Sequence, residues 1–150
     1  MLSDFERPLN ERGFKDAPVM AKRLLDKKIK IDHFISSSAK RAKTTAGLFA
    51  EIYNYPTKAI ELIPALYNAV PSTFFSVAED IDDRYNSVAL FSHNPGITEF
   101  VNQLSEKVNI DNMPTCGVFA VTFNSNHWKD FFDVKKNFLF FDFPKNDPAP

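Results

Sequence analysis

Before residue 82, apolar residues recur at helical spacing in three stretches of the chain. The first stretch is predicted to be helical to about Lys28. Because Pro18 resists an interior helical position, the regular part of this helix is expected to begin only near Asp16, with Pro18 in its first turn. The second helix is predicted over 39–53, and the third begins at Pro71. Their apolar faces are Phe14, Ala17, Ala21, Leu24 and Leu25 in the first helix, Ala42, Ala46, Phe49 and Ile52 in the second, and Phe74, Val77, Ala78 and Ile81 in the third.

Short apolar runs between these helices predict strands. The run 88–91 is apolar throughout, which is typical of a strand buried on both faces in a parallel sheet. After residue 117 the pattern changes to alternating or densely apolar segments, two of which are joined by the hairpin-like sequence Asn-Ser-Asn at 124–126. Alternating helices and strands followed by a meander predict a three-layer α/β domain with mixed strand directions. The predicted strands are 32–36, 60–63, 88–91, 118–123, 128–134 and 137–143, and 144–150 is predicted to be a frayed tail.

Composition narrows the class of protein and its surroundings. A chain of 150 residues is large enough to bury a full core, so we expect a single domain over 1–150. No apolar run approaches the roughly 20 residues that span a bilayer. The net charge of −1 gives no field that would attract nucleic acid or acidic lipid, so neither nucleic acid nor a membrane is expected as a partner. A single cysteine and an N-terminus without a signal-peptide pattern favour the cytoplasm.

Two junctions between a predicted strand and a predicted helix carry candidate ligands for an anion. His93 follows the run 88–91, and Asn94 is predicted to cap a helix that has Pro95 in its first position and ends near Lys107. Arg41 lies in the first turn of the second helix, where a cation opposes the helix dipole. A bound phosphate explains both residues, because guanidinium groups and helix N-termini bind phosphate oxygens. A loop histidine satisfied by the backbone and a solvated arginine explain them equally well.

Both junctions lie at carboxyl ends of strands, so His93 and Arg41 are predicted to meet in one cleft if their strands are neighbours. The other two histidines are predicted to be structural or exposed, with His33 at the opposite edge of the sheet from Arg41 and His127 in the hairpin region. Three scattered histidines and one cysteine lack metal-ligand spacing, so no metal is expected. No glycine-rich nucleotide loop and no Gly-x-Ser-x-Gly motif occur, and no cofactor is expected.

Five pieces of the sequence have a counterpart, in the same order, in one known family: Asp4-Phe5-Glu6-Arg7-Pro8-Leu9-Asn10-Glu11-Arg12-Gly13, Ser36-Ser37-Ser38-Ala39-Lys40-Arg41-Ala42-Lys43-Thr44-Thr45-Ala46, Ala65-Leu66-Tyr67-Asn68-Ala69, Ser92-His93-Asn94-Pro95-Gly96 and Pro114-Thr115-Cys116-Gly117. Through these pieces the chain resembles the histidine phosphatase superfamily and, within it, the small SixA-like phosphohistidine phosphatases. The pieces span nearly the whole chain, and their combination is specific although each alone is weak.

The resemblance implies a phosphoglycerate mutase-like α/β/α sandwich with a mostly parallel central sheet. It also implies a phosphate pocket of two histidines and two arginines, in which one histidine attacks phosphorus and water then hydrolyses the phosphohistidine. Arg41 matches the second arginine and His93 the second histidine, and their implied role is to stabilise charge on the phosphoryl oxygens. Arg7 and Asn94 are the implied substrate-binding residues.

The sequence departs from the family at its start. The family opens with a strand in the middle of the sheet that ends in Arg-His-Gly or Arg-His-Ala, and this strand supplies the first arginine and the nucleophile. No Arg-His dipeptide occurs in this sequence, so neither residue is carried over. We therefore expect this chain to be a shortened version of a longer native protein. Without the nucleophile, its turnover is expected to fall on the order of a millionfold. A chain that folds without the central strand must fill its place from elsewhere.

The activity implied is hydrolysis of the N–P bond of phosphohistidine on a protein, and phosphate itself is an expected ligand. No carboxylic acid stands near residues 66–69, where a general acid for an alkoxide leaving group is expected. A protonated imidazole leaves without such help, which favours phosphohistidine as the substrate. Two alternatives stay open, namely a phosphomonoesterase of small phosphorylated molecules and a non-catalytic remnant that binds phosphate or a protein partner.

Overall fold

Four α-helices and five strands alternate along residues 2–146, the part of the chain that this computed structural model describes. No helix in this part is long and apolar enough to cross a membrane. The helices are α1 (Glu11–Asp26), α2 (Lys40–Ile52), α3 (Pro71–Glu79) and α4 (Gly96–Val101), and the strands are β1 (His33–Ser36), β2 (Glu61–Leu62), β3 (Val88–Phe91), β4 (Val118–Phe123) and β5 (Lys136–Asp142).

The strands form two sheets. β1 lies between β2 and β3 and is parallel to both, so these three strands end at the same edge, where Ser36 stands opposite Phe91. β4 and β5 pair antiparallel in a sheet of their own. The predicted α/β class with a parallel sheet is confirmed. The sheet layer is nevertheless divided in two, and among the described residues β2, β3, β4 and β5 each have one edge with no partner strand.

Two apolar clusters, one on each face, hold the divided sheet together. In one cluster, α1 and α2 pack on Phe34 through residues that include Met20 and Phe49. In the other, α3 and α4 pack on Ile35 through residues that include Phe74 and Phe100. Successive side chains of a strand point to opposite faces, and accordingly β3 and β4 each contribute residues to both clusters. Both clusters therefore join the two sheets.

The first helix starts earlier than predicted. The Asn10 side chain accepts a hydrogen bond from the Gly13 N–H at 2.8 Å, and this cap begins α1 at Glu11, not near Asp16. Pro18 therefore lies inside α1, where it deprives the Phe14 carbonyl of its intrahelical donor. Phe14 is 50% exposed, so this part of α1 faces solvent. Phe14 and Leu25 were predicted to face the core and are exposed, whereas Met20 is fully buried.

The fourth helix is shorter than predicted. It begins at Gly96 after Pro95, so Asn94 is not its N-cap and Pro95 is not its first residue. It ends at Val101, not near Lys107. The Asn102 side chain explains this end, because it donates to the Ile110 carbonyl and accepts from the Ile110 N–H, both at 2.8 Å. An asparagine that bonds a distant backbone in this way competes with continuation of the helix.

The segment 128–134 is not a strand. It forms a short 3-10 helix, Trp128–Asp130, followed by turns. The Trp128 indole N–H donates to the Tyr85 carbonyl at 2.8 Å, and the Trp128 backbone N–H donates to the Asp83 carboxylate at 2.8 Å. The apolar residues that suggested a strand thus anchor a turn. β3 has the predicted bounds, but all four of its residues are half-buried where full burial was predicted, because one edge of the strand is unpaired.

The first residues of the predicted frayed tail are held against the domain. Arg23 donates to the Pro144 carbonyl and to the Asn146 carbonyl, each at 3.1 Å, and this contact holds 144–146 against α1. The remainder of the predicted tail, 147–150, lies outside the described residues. The end of β5 is tied to the same arginine, because Asp142 is buried and its carboxylate lies 3.4 Å from the Arg23 guanidinium.

Candidate functional site

The two junctions that carry Arg41 and His93 lie side by side at one edge of the parallel sheet. β1 and β3 are hydrogen-bonded neighbours, and α2 starts four residues after β1, which puts Arg41 in the first turn of a helix at this edge. His93 follows β3 at the same edge. Because parallel neighbours end together, the sheet itself brings these two side chains into one region, as the sequence predicted.

Two local features set the paths of the junctions. After β1, the Ser37 hydroxyl oxygen accepts from the Ala39 N–H at 3.2 Å, which turns the chain into α2. After β3, the chain passes so close to the segment at Ala69 that a Cβ on Gly96 would lie 2.3 Å from the Ala69 carbonyl oxygen. Glycine permits this approach because it has no side chain. The approach holds the loop of His93 against the segment that carries Tyr67.

One carboxylate joins the residues of this region. The Asp4 Oδ2 atom accepts from the Tyr67 hydroxyl at 2.7 Å and from the Arg41 guanidinium at 3.2 Å. The Asp4 Oδ1 atom accepts from Arg7 at 2.6 Å, and Arg41 also donates to the Asp4 carbonyl at 2.8 Å. The Tyr67 hydrogen bond and the Arg41 guanidinium lower the pKa of Asp4, while the same hydrogen bond raises the pKa of Tyr67. Asp4 is therefore an anion near neutral pH.

His93 completes the group, and its polar atoms lack partners. Its ring packs on the Tyr67 ring with centroids 5.1 Å apart. Both ring nitrogens are buried, and neither meets the geometry of a hydrogen bond in the described part of the chain, although the Asn94 backbone lies close enough to raise the pKa of the ring. Burial, and next the positive charge of Arg41, lower the pKa of His93, so the imidazole is neutral near neutral pH. An unpartnered buried polar group costs about 1–3 kcal/mol, and a ligand that bonds to it recovers this cost.

The other two predicted site residues lie at the margin of this group. The Arg7 side chain is 63% exposed and bonds the outer oxygen of Asp4. The Asn94 side-chain amide donates to the Met113 carbonyl at 2.8 Å, and its oxygen accepts from the Thr98 hydroxyl. The Ile97 N–H donates to the His93 carbonyl at 3.2 Å. Both residues are exposed, and the Asn94 side chain is used to fix the loop.

Sequence reasoning missed Asp4 and Tyr67. It searched for a carboxyl group near residues 66–69 along the chain and found none, whereas in space the Asp4 carboxylate contacts Tyr67 directly. Both residues lie within the pieces that carried the family resemblance, and that was the available signal. No local pattern indicates the contact itself, because it joins residues 63 positions apart.

The remaining histidines take no part in this group. His33, the first residue of β1, is buried, with its two ring nitrogens 3.0 Å from the Tyr55 hydroxyl and 3.0 Å from a Glu61 carboxylate oxygen. His127 is exposed and lies 2.9 Å from the Asp83 carboxylate. Within residues 2–146, no cluster of His, Cys, Asp and Glu side chains is arranged to hold a metal ion.

Comparison with known proteins bears on the fold and the family. Residues 3–68 match the model of the histidine phosphatase superfamily (branch 1), a span that includes Asp4, Arg41 and Tyr67 and ends before His93. No curated protein matches the chain. The resemblance to this superfamily that the sequence indicated is confirmed.

Three solved structures share the fold. The protein histidine phosphatase SixA, complexed with tungstate, is 22% identical with a TM-score of 0.77, over 97% of this chain and 90% of that chain. A protein of Agrobacterium tumefaciens assigned as phosphohistidine phosphatase SixA is 23% identical with a TM-score of 0.75, over 95% and 87%. A protein of Nakamurella multipartitia with the same assignment is 14% identical with a TM-score of 0.77, over 96% and 88%. At these identities the likeness shows the fold.

Proposed function

We propose that this chain, similar to the histidine phosphatase superfamily in residues 3–68 and to SixA structures in its fold, is a phosphatase of phosphohistidine on proteins. The proposed reaction runs through a phosphohistidine intermediate, with Arg41 and His93 as phosphate-pocket residues and with a nucleophilic histidine that the given sequence does not contain. The observation that carries the proposal is His93, whose two buried ring nitrogens have no partner among residues 2–146 although an arginine lies beside the ring. Phosphoryl oxygens are the partners that suit both groups.

The electrostatics of the site support this role. Phosphoryl transfer passes through a loose transition state whose charge lies on the equatorial oxygens, so catalysis depends on fixed donors around them. Arg41 supplies a planar fork of donors that matches phosphate geometry. The burial of the imidazole and the positive charge of Arg41 keep His93 neutral, and the negative charge of an arriving phosphate dianion favours the protonated form. His93 then gains a proton and donates to phosphate at the moment when charge must be neutralised.

The nucleophile is the part that this sequence lacks. No Arg-His dipeptide occurs in it. His33 is a poor substitute because both of its nitrogens are engaged, and His127 is poor because it is exposed and paired with Asp83. The edge of β3 that has no partner among the described strands offers a pairing site for a further strand as the source. A strand there that runs parallel to β3 ends at the same sheet edge as β1 and β3, next to His93.

The protonation states of the site residues favour a phosphoramidate over a phosphate ester as the substrate. Asp4 is the carboxyl group in contact with Arg41 and Tyr67, and its lowered pKa keeps it ionised near neutral pH. It is therefore a poor general acid for an alkoxide leaving group. The imidazole of phosphohistidine leaves as a protonated group and needs no such acid.

A second candidate function has one observation in its favour. Because the sequence contains no Arg-His dipeptide, the same site without a nucleophile is a non-catalytic phosphate-binding module. Arg41 and His93 suffice for this role.

The test compares the chain with a version extended at its N-terminus by a short apolar strand ending in Arg-His-Gly. The matched control carries the same extension ending in Arg-Ala-Gly. Each protein is assayed on a phosphohistidine protein and on p-nitrophenyl phosphate. Phosphohistidine hydrolysis by the Arg-His-Gly version alone supports the proposal, whereas preferred hydrolysis of the ester indicates a phosphomonoesterase.

Anion binding tests the pocket independently of turnover. Tungstate binding by the chain itself is expected to be lost in Arg41→Ala and in His93→Ala. If the chain binds tungstate but no version turns over either substrate, the non-catalytic module is the better reading. If neither substitution changes tungstate binding, the site assignment is wrong.

A further inference from the structure

Three donors from distant parts of the chain converge on the Asp4 carboxylate. Arg7 comes from the opening segment, Arg41 from the first turn of α2, and Tyr67 from the turn after the 3-10 helix Pro64–Leu66. Their polar atoms lie 2.6, 3.2 and 2.7 Å from the carboxylate oxygens. We propose that these donors form an anion seat for which Asp4 and a phosphoryl group compete, so that Asp4 limits the affinity of the site for phosphate.

The chemistry of the donors fits either anion. A guanidinium fork binds carboxylate and phosphate in similar geometry, and a phenol hydroxyl donates to both. The seat holds two cations and one anion, so removal of the Asp4 charge leaves two cations facing a single phosphate. The pKa of Asp4 is lowered by these same contacts, which means that the competitor is fully charged where a phosphatase would operate. The inference rests on the proposed function, because it takes the ligand of this site to be phosphate.

The seat adjoins the unpartnered histidine. The Tyr67 ring contacts the His93 ring, and the charge of Asp4 already acts on the pKa of His93, so an anion on the Tyr67 hydroxyl and Arg41 lies within electrostatic reach of the imidazole. Asp4 bonds Tyr67 and Arg41 but does not bond His93. A phosphoryl group has more oxygens than a carboxylate and can bond Tyr67, Arg41 and His93 at once. This gives it an advantage over Asp4 that a second carboxylate would not have.

Asp4 is able to leave the seat without unfolding the domain. Its side chain is 45% exposed, and residues 2–10 contain no helix or strand. The segment is anchored separately, because the Lys40 N–H donates to the Phe5 carbonyl at 3.0 Å and the Phe5 ring packs edge-on against Tyr67 at 5.1 Å. Rotation of the Asp4 side chain towards solvent therefore frees its donors while the segment stays docked.

The experiment measures tungstate and inorganic phosphate binding by calorimetry with the full chain. Asp4→Asn keeps the size of the side chain and removes its charge. The matched control is Glu6→Gln, which removes the same charge from the same segment, where Glu6 contacts Ser3 and not the seat. We expect Asp4→Asn to tighten binding about tenfold or more and Glu6→Gln to change it less than about twofold.

The opposite role for Asp4 gives the opposite result. If Asp4 only anchors the opening segment, Asp4→Asn weakens binding or leaves it unchanged, and the competition is overturned while the loss of binding in Arg41→Ala still supports the proposed function. If the unaltered chain and Asp4→Asn both fail to bind either anion, the proposed function and the seat fail together.

A second variant covers the case in which Asp4→Asn is poorly folded. Tyr67→Phe removes one donor of the seat and keeps Asp4. We expect it to weaken tungstate binding several-fold, and unchanged binding in a folded Tyr67→Phe protein would contradict the seat.

Discussion

His33 and His93 lie near opposite ends of neighbouring parallel strands. They differ in the partners of their ring nitrogens and in the charges beside the ring. His33 is buried with a partner at each ring nitrogen, and its ring stacks on Tyr85 at 4.2 Å. His93 has buried nitrogens with no partner in the described residues and faces an arginine. The first arrangement satisfies the imidazole within the fold. The second leaves its hydrogen-bonding capacity for a ligand.

The comparison separates a histidine that stabilises the domain from one that costs stability. A satisfied buried hydrogen bond contributes about 0.5–1.5 kcal/mol, whereas an unsatisfied buried polar group costs about 1–3 kcal/mol. A fold keeps such a cost where function needs it, as at ligand sites. The two histidines should therefore respond in opposite ways to the same substitution.

The largest effect is expected at Gly96, which fixes the loop of His93. Gly96→Ala puts a Cβ 2.3 Å from the Ala69 carbonyl oxygen, and a backbone atom cannot move aside cheaply. We expect a loss of about 3 kcal/mol in the free energy of unfolding, measured in urea, and weaker tungstate binding. The matched control is Gly47→Ala in α2, where no atom lies within 4 Å of the new Cβ and a gain of about 0.5–1 kcal/mol is expected. Equal effects of the two substitutions would contradict the close approach.

His33→Leu is expected to have the next largest effect on stability. It removes the contacts to Tyr55 and Glu61 and the stack on Tyr85, at a position that is 7% exposed. We expect a loss of about 2 kcal/mol in the free energy of unfolding, with tungstate affinity unchanged. A substantial loss of tungstate binding in the folded variant would mean that His33 belongs to the site after all.

His93→Leu is the counterpart at the other histidine. It replaces two unsatisfied nitrogens by apolar surface, so we expect the free energy of unfolding to stay the same or to rise by about 1 kcal/mol. Tungstate binding is expected to be lost. If His93→Leu destabilises the chain as much as His33→Leu does, the imidazole has partners in solution and the contrast between the two sites fails.

The sequence was informative where structure is local. The apolar spacing of α2 and α3 and the run of β3 predicted these elements to within a residue or two at most ends, and Arg41 and His93 could be placed beside a sheet edge from the junctions that follow the strands. The strand predicted over 128–134 was wrong because the apolar residues of this segment fit a packed turn as well as a strand. Phe131 is buried and Phe132 is 58% exposed, a contrast that alternation also predicts.

The rest of the site depends on contacts that no window of sequence contains. The hydrogen bond from Tyr67 to Asp4 and the ion pair of Arg41 with Asp4 join segments far apart in the chain, and both arise from the path of residues 2–10 across the sheet edge. Whether the ring nitrogens of His93 have hydrogen-bond partners also depends on distant parts of the chain, because it reflects which groups fail to reach the ring. Sequence reasoning brought out Arg41 and His93, whose role as phosphate ligands stays a prediction, but not the carboxylate that pairs with Arg41.

The smallest expected effect concerns pH. Burial and Arg41 lower the pKa of His93 in the folded chain from its ordinary value of 6.5, while Asp4 and the neighbouring backbone of Asn94 oppose the shift. As pH falls below about 6.5, the unfolded chain takes up a proton at His93 before the folded chain does, so the free energy of unfolding decreases. This loss continues until the pH passes the lowered pKa and then levels off.

All other titrating groups are shared with His93→Leu, so the difference in urea stability between the two proteins isolates this proton. We expect the unaltered chain to lose stability relative to His93→Leu as the pH is lowered from 7 to 5. A difference that is constant over this range would show that His93 is as accessible to protons in the folded chain as in the unfolded one, and it would then resemble an ordinary loop histidine.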